Sequence, residues 1–90
     1  MTARKFVPVR PFYWSGGVER VTNGLWTIEV YFERNGRGDL IHRVSIESYE
    51  GWNVNGTVYG DRVADLRYDL PERVPAYVKR EAIRLVVATL

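Results

Sequence analysis

Two stretches decide the fold: Leu25-Trp26-Thr27-Ile28-Glu29-Val30-Tyr31-Phe32-Glu33-Arg34, and Asp39-Leu40-Ile41-His42-Arg43-Val44-Ser45-Ile46-Glu47-Ser48-Tyr49-Glu50. In the first, Trp26, Ile28, Val30 and Phe32 alternate with Thr27, Glu29 and Glu33, with Tyr31 amphipathic. A period of two is the mark of a strand with one face buried. The second repeats it, with Leu40, His42, Val44 and Ile46 against Arg43, Ser45, Glu47 and Tyr49; Ile41 breaks the alternation.

The intervening loop fixes the register. Residues paired across an antiparallel ladder share a face. Both apolar sets are even-numbered, so the numbers of paired residues must sum to an even value. A two-residue Asn35-Gly36 turn gives an odd sum and sets Trp26 to Phe32 against polar partners. A three-residue loop, Gly36-Arg37-Gly38, sets Asn35 opposite Asp39 and needs Gly38 in the left-handed region. It pairs Phe32 with His42, Val30 with Val44, and Ile28 with Ile46. Tyr31 then meets Arg43, and Glu29 meets Ser45, on the other face. A slip of one residue would turn a whole strand over.

Working outward, Val18-Glu19-Arg20-Val21 reads as a short strand, joined to the first long one through Asn23-Gly24, a strong hairpin signal. Residues 1–14 read as an extended arm or edge strand, because Pro8 and Pro11 cannot donate to a ladder. Ser15-Gly16-Gly17 reads as a turn. Residues 25–50 form the central hairpin. Gly51 to Gly60 reads as a second tight hairpin turning at Asn55-Gly56, with Trp52 opposite Tyr59. Asp61 to Leu70 admits a short helical turn or an irregular strand, since Asp61, Asp65 and Asp69 would stack like charges on a helix.

Residues 75–90 read as a C-terminal helix opened by Pro75. Val78, Ala82, Leu85, Val86 and Thr89 form one stripe. Arg73, Tyr77, Arg80 and Arg84 form another. The uncharged end, Leu85 to Leu90, reads as buried on more than one face, against the sheet and the N-terminal arm, or as a homodimer contact. The fold class expected is α+β: an antiparallel meander of four to five strands with one C-terminal helix on one face.

Ninety residues make one domain, and twelve aromatics (three Trp, six Tyr, three Phe) argue against disorder over most of the length. A chain of this size buries roughly 60–65% of its unfolded surface, enough for a sheet on a helix. Cysteine is absent, which removes disulfides and thiol chemistry. No signal-peptide core and no long apolar run are present, so a cytoplasmic protein is expected without a membrane segment. The net charge is +2, unevenly placed: residues 1–43 carry +3, residues 44–72 carry −4 and residues 73–90 carry +3.

Most routes to chemistry close. His42 is the only histidine and falls on the apolar face, which suits a core or sheet-rim residue better than a general base. One histidine and no cysteine make a transition-metal site unexpected. The Asp61, Asp65, Asp69 row lacks the alternation and closing Glu of a calcium loop and reads as solvated surface, or as a negative patch for a basic partner. The clustered glycines do not lead from a strand into a helix with a Lys-Ser/Thr, so no phosphate cradle is expected. No catalytic residue, cofactor or metal is assigned.

Two groups point to binding. Arg10, Tyr13 and Trp14 belong to a basic and aromatic arm of the composition used on single-stranded nucleic acid. Arg73, Tyr77, Arg80 and Arg84 form a ridge able to face acids or phosphates. The outer face of the central hairpin, with Glu29, Glu33 and Glu47 beside Arg43, would repel a phosphate backbone. The leading expectation is a small non-enzymatic protein-binding module, a regulator or inhibitor of a larger phage- or host-type complex, with these seven residues as contacts. The alternative is a nucleic-acid-binding domain using the arm and the arginine ridge.

Overall fold

In the computed structural model, which describes residues 5–9 and 18–90, the long hairpin stands in the expected register. Strand β3 spans Trp26–Arg34 and β4 spans Leu40–Ser48. Phe32 pairs with His42, Val30 with Val44 and Ile28 with Ile46, while Tyr31 meets Arg43 and Glu29 meets Ser45. The loop closes through Asn35 N to the Asp39 carbonyl at 3.0 Å, and Gly38 takes φ +84°. Asn35 Oδ1 accepts from the amides of Arg37 and Asp39, at 2.9 Å each, which stiffens the turn.

Five strands form one antiparallel sheet in chain order, with β1 at Val7–Pro8, β2 at Val18–Thr22 and β5 at Asn53–Tyr59. The β2–β3 hairpin turns at Gly24, φ +89°. Buried Asn23 anchors it, its Oδ1 accepting from the amides of Leu25 at 2.9 Å and Trp26 at 2.7 Å. Strand β1 is an edge strand on β2. Arg10, Tyr13 and Trp14 lie outside the described residues.

The second hairpin is a correction. Asn55-Gly56 is not a turn. It lies in the middle of β5, where Gly56 pairs with Val44, and the chain reverses earlier, with Ser48 N donating to the Trp52 carbonyl at 2.9 Å. Trp52 therefore does not pair with Tyr59; it packs edge-on against Trp26 at 5.5 Å. The physical reason lies above the strand. Helix α1, Ala64–Asp69, brings Leu66 Cδ1 within 2.6 Å and Leu70 Cδ2 within 3.5 Å of where a side chain at 56 would begin. A glycine inside a strand here marks a close approach. Of the two readings left open for residues 61–70, the short helix is the one found.

Helix α2 spans Ala76–Val87, with Pro75 as its N-cap. Its Val78, Ala82, Leu85 and Val86 join Ile28, Val30, Val44, Ile46 and Val58 in one core, with Leu66 and Leu70 of the α1 segment. Both helices lie on the face of even-numbered side chains. Fully burying an aliphatic side chain contributes about 1.5–3 kcal/mol, so this shared layer dominates the stability. The expectation of burial on several faces after Leu85 is not met. Val87 and Leu90 are each 52% exposed, because the helix ends and only its Leu85–Val86 side reaches the sheet.

Candidate functional site

Among the described residues no helix lies over the other face of the sheet, which carries the odd-numbered residues of β3, β4 and β5. Its chemistry follows from the register. Tyr31 is directly across from Arg43, which is across from Thr57. Glu33 is across from Ile41, which is across from Tyr59. Ile41, the residue that breaks the alternation in β4, thus lies between Glu33 and Tyr59 and is nearly buried. Arg43 Nε donates to Glu33 Oε1 at 3.0 Å. That hydrogen bond, with the charge of Glu33, raises the Arg43 pKa, and Tyr31 and Tyr59 lie close enough to add to it. The result is one cluster in which Tyr31, 38% exposed, and Tyr59, 64% exposed, flank a guanidinium already oriented by a carboxylate.

Further along the same face, Val9, Arg20, Thr22, Thr27, Glu29, Ser45 and Glu47 line a concavity of about 550 Å³. Arg20 Nε donates to Glu29 Oε2 at 2.9 Å. Glu29, Glu33 and Glu47 therefore share the outer face with Arg43, as the alternation requires, and their charge disfavours a phosphate backbone lying across the strands.

The arginine ridge divides. Arg73 precedes α2 and places its guanidinium 4.1 Å from the ring centre of Trp52. Tyr77 is half-buried against Phe6, at 6.3 Å between ring centres. Arg84 donates to Glu81 through Nε at 3.0 Å, and that hydrogen bond raises its pKa. Arg80 alone turns elsewhere. With Arg67 of α1, Lys79 and Ala76 it lines a pocket of about 260 Å³. None of these three cations makes an ion pair among the described residues. Their grouping depends on how α1 meets α2, and no spacing along the chain announces it.

His42 is fully buried, with Nε2 2.7 Å from Thr89 Oγ1 and its ring 5.5 Å from that of Phe32. Burial lowers its pKa. Its side chain is closed off from solvent on the core side of the sheet. The aspartate row dissolves: Asp61 precedes α1, Asp65 pairs with Arg62 at 3.1 Å, and Asp69 ends the helix exposed. Among the described residues no three His, Cys, Asp or Glu side chains gather as metal ligands would, and no helix is long and apolar enough to cross a membrane. Comparison with family models, with characterised proteins and with solved structures finds no match.

Proposed function

We propose that the chain is a small non-enzymatic module that binds another protein through the uncovered face of its sheet. The observation that supports this is the Tyr31–Arg43–Tyr59 cluster. Tyrosine and arginine are among the side chains that most often carry binding energy at protein interfaces: tyrosine buries a large area at small entropic cost, and arginine offers a planar fork of donors. Here they sit on rigid strands rather than on loops. Glu33 holds Arg43 in place, so less freedom is lost on docking. Such a module would regulate or inhibit a larger complex by occupying a surface of it.

The test is a pull-down from the cells of origin with tagged protein, beside the triple variant Tyr31→Ala, Arg43→Ala, Tyr59→Ala. The expected result is a stoichiometric partner on the wild type that is lost from the variant. Recovery of no partner, or equal recovery by both, overturns the reading.

A second reading, nucleic-acid binding, is favoured by one observation: Arg67, Lys79 and Arg80, which make no ion pair among the described residues, gather around a single pocket. It calls for salt-sensitive gel shifts with DNA or RNA that weaken when these three, or Arg73, Arg80 and Arg84, are replaced. No shift at low salt removes it.

A further inference from the structure

The two edges of the sheet differ. Strand β1 is two residues long and ends in Pro8, which has no amide to offer. Strand β5 is seven residues, Asn53-Val54-Asn55-Gly56-Thr57-Val58-Tyr59, with no charge and no proline. Its register on β4 runs one to one from Ile41↔Tyr59 to Glu47↔Asn53, so it has no bulge. Charge, proline, bulges and shortness are the usual ways in which an edge is protected from pairing, and β5 has none of them.

The hydrogen-bonding groups on that edge follow from alternation. Ser48 N donates to the Trp52 carbonyl, and Gly60 N to the Leu40 carbonyl, at 2.9 Å each. Even-numbered residues of β5 therefore bond β4. The amides and carbonyls of Asn53, Asn55 and Thr57 point the other way. Tyr59 points there too, its carbonyl accepting from Arg62 N at 3.2 Å.

We infer that β5 receives an additional strand, contributed by an extended segment of a partner protein. This rests on the protein-binding reading and names its mode. The helix layer selects the occupant. Helix α2 packs over β3, and α1 stands over β5 at Gly56. Strands are about 4.8 Å apart, so helices over β3 and β5 keep the 8–10 Å that packed helices need. A second copy pairing along the full length of its own β5, with Gly56 opposite Gly56, would bring its own α1 over the very next strand, at about half that distance. A lone segment brings no helix. On the helix side it would meet Val54, which faces inward yet is only partly buried, and so calls for an apolar residue. On the open side it would meet Asn53, Asn55, Thr57 and Tyr59, which accept uncharged polar or aromatic neighbours. The ligand is thus an extended segment of at least about five residues, apolar at alternate positions and free of proline where it pairs.

The experiment uses a phage-displayed library of random nine-residue peptides panned on the immobilised full chain. Recovered peptides are measured by fluorescence polarisation on wild type and on Asn55→Pro, which deletes an outward amide and no β4 bond. Peptides with alternating apolar residues, bound at least tenfold more weakly by Asn55→Pro at unchanged melting temperature, support strand addition. No enriched peptide, or equal binding to a folded Asn55→Pro, overturns it. Should Asn55→Pro unfold, amide hydrogen exchange on the wild type decides. Slowing at Asn53, Asn55 and Thr57 on saturation with peptide supports the inference, and unchanged exchange there overturns it. A dimer by light scattering that Asn55→Pro dissolves would make the occupant a second copy and overturn the choice of partner. Failure here with a partner still captured in the pull-down leaves the protein-binding reading standing on the open face. Peptides that meet these criteria with no captured partner leave β5 standing without it.

Discussion

His42 lies beneath the end of α2, and its protonation is linked to folding. The Thr89 hydroxyl is 3.0 Å from the Val86 carbonyl, which only accepts. Donating there, the hydroxyl accepts from His42 Nε2–H at 2.7 Å. Among the described residues His42 Nδ1 has no partner, so a second proton would be buried without an acceptor there. Burial holds the folded pKa below the unfolded value of 6.5. Above that value neither state binds the proton. Below it the unfolded chain takes one up and the folded chain resists. Stability should therefore be level above about pH 7 and fall as pH drops below 6.5, by up to about 1.4 kcal/mol per pH unit until the folded pKa is reached. Urea titrations between pH 7.5 and 5.5 check this. His42→Leu should flatten the curve in that window, since the chain holds no other histidine.

At the scale of elements, the same dipeptide has opposite fates. Asn23-Gly24 turns a hairpin; Asn55-Gly56 runs straight through β5. Locally the two are equivalent, and what separates them is Leu66 and Leu70, which close over Gly56 from a helix. That helix begins five residues after β5, in a segment whose aspartates leave helix and strand equally open at the level of sequence. The β3–β4 register was legible because parity is a property of neighbouring residues; the β5 fate was not, because it depends on tertiary packing. Gly56→Ala should cost about 1–3 kcal/mol in denaturant melts, since Leu66 is fully buried and has little room to retreat. Gly38→Ala, with φ +84° and open space around it, should cost about 1 kcal/mol from the backbone alone. A Gly56 effect no larger than that of a solvent-facing substitution would mean that α1 is not seated on the strand.

For the molecule as a whole, sheet and helix were legible and the distribution of its surface was only partly so. The Tyr31–Arg43 pair follows from register alone. Tyr59 joins it only once β5 is a full strand beside β4. The arginine ridge counts Arg73 at helical spacing beside a helix expected over residues 75–90; α2 starts at Ala76, so Arg73 lies outside it and stacks on Trp52. Val87 and Leu90 expose half of their surface, far less than the roughly 1,000 Å² that a stable interface buries. Light scattering should accordingly return the monomer mass of 10.4 kDa for wild type and for Val87→Glu alike. A wild-type dimer that Val87→Glu splits would instead place self-association at the end of α2.

The mismatch between the two borders of the sheet has a consequence for assembly. Head-to-tail growth requires each unit to present both a receiving and a donating border. Here Pro8 withholds an amide from the β1 border, and two β5 borders paired along their full length are kept apart by their helices. Pairing at β5 therefore stops after one step, so the chain can take up a strand without seeding a fibre.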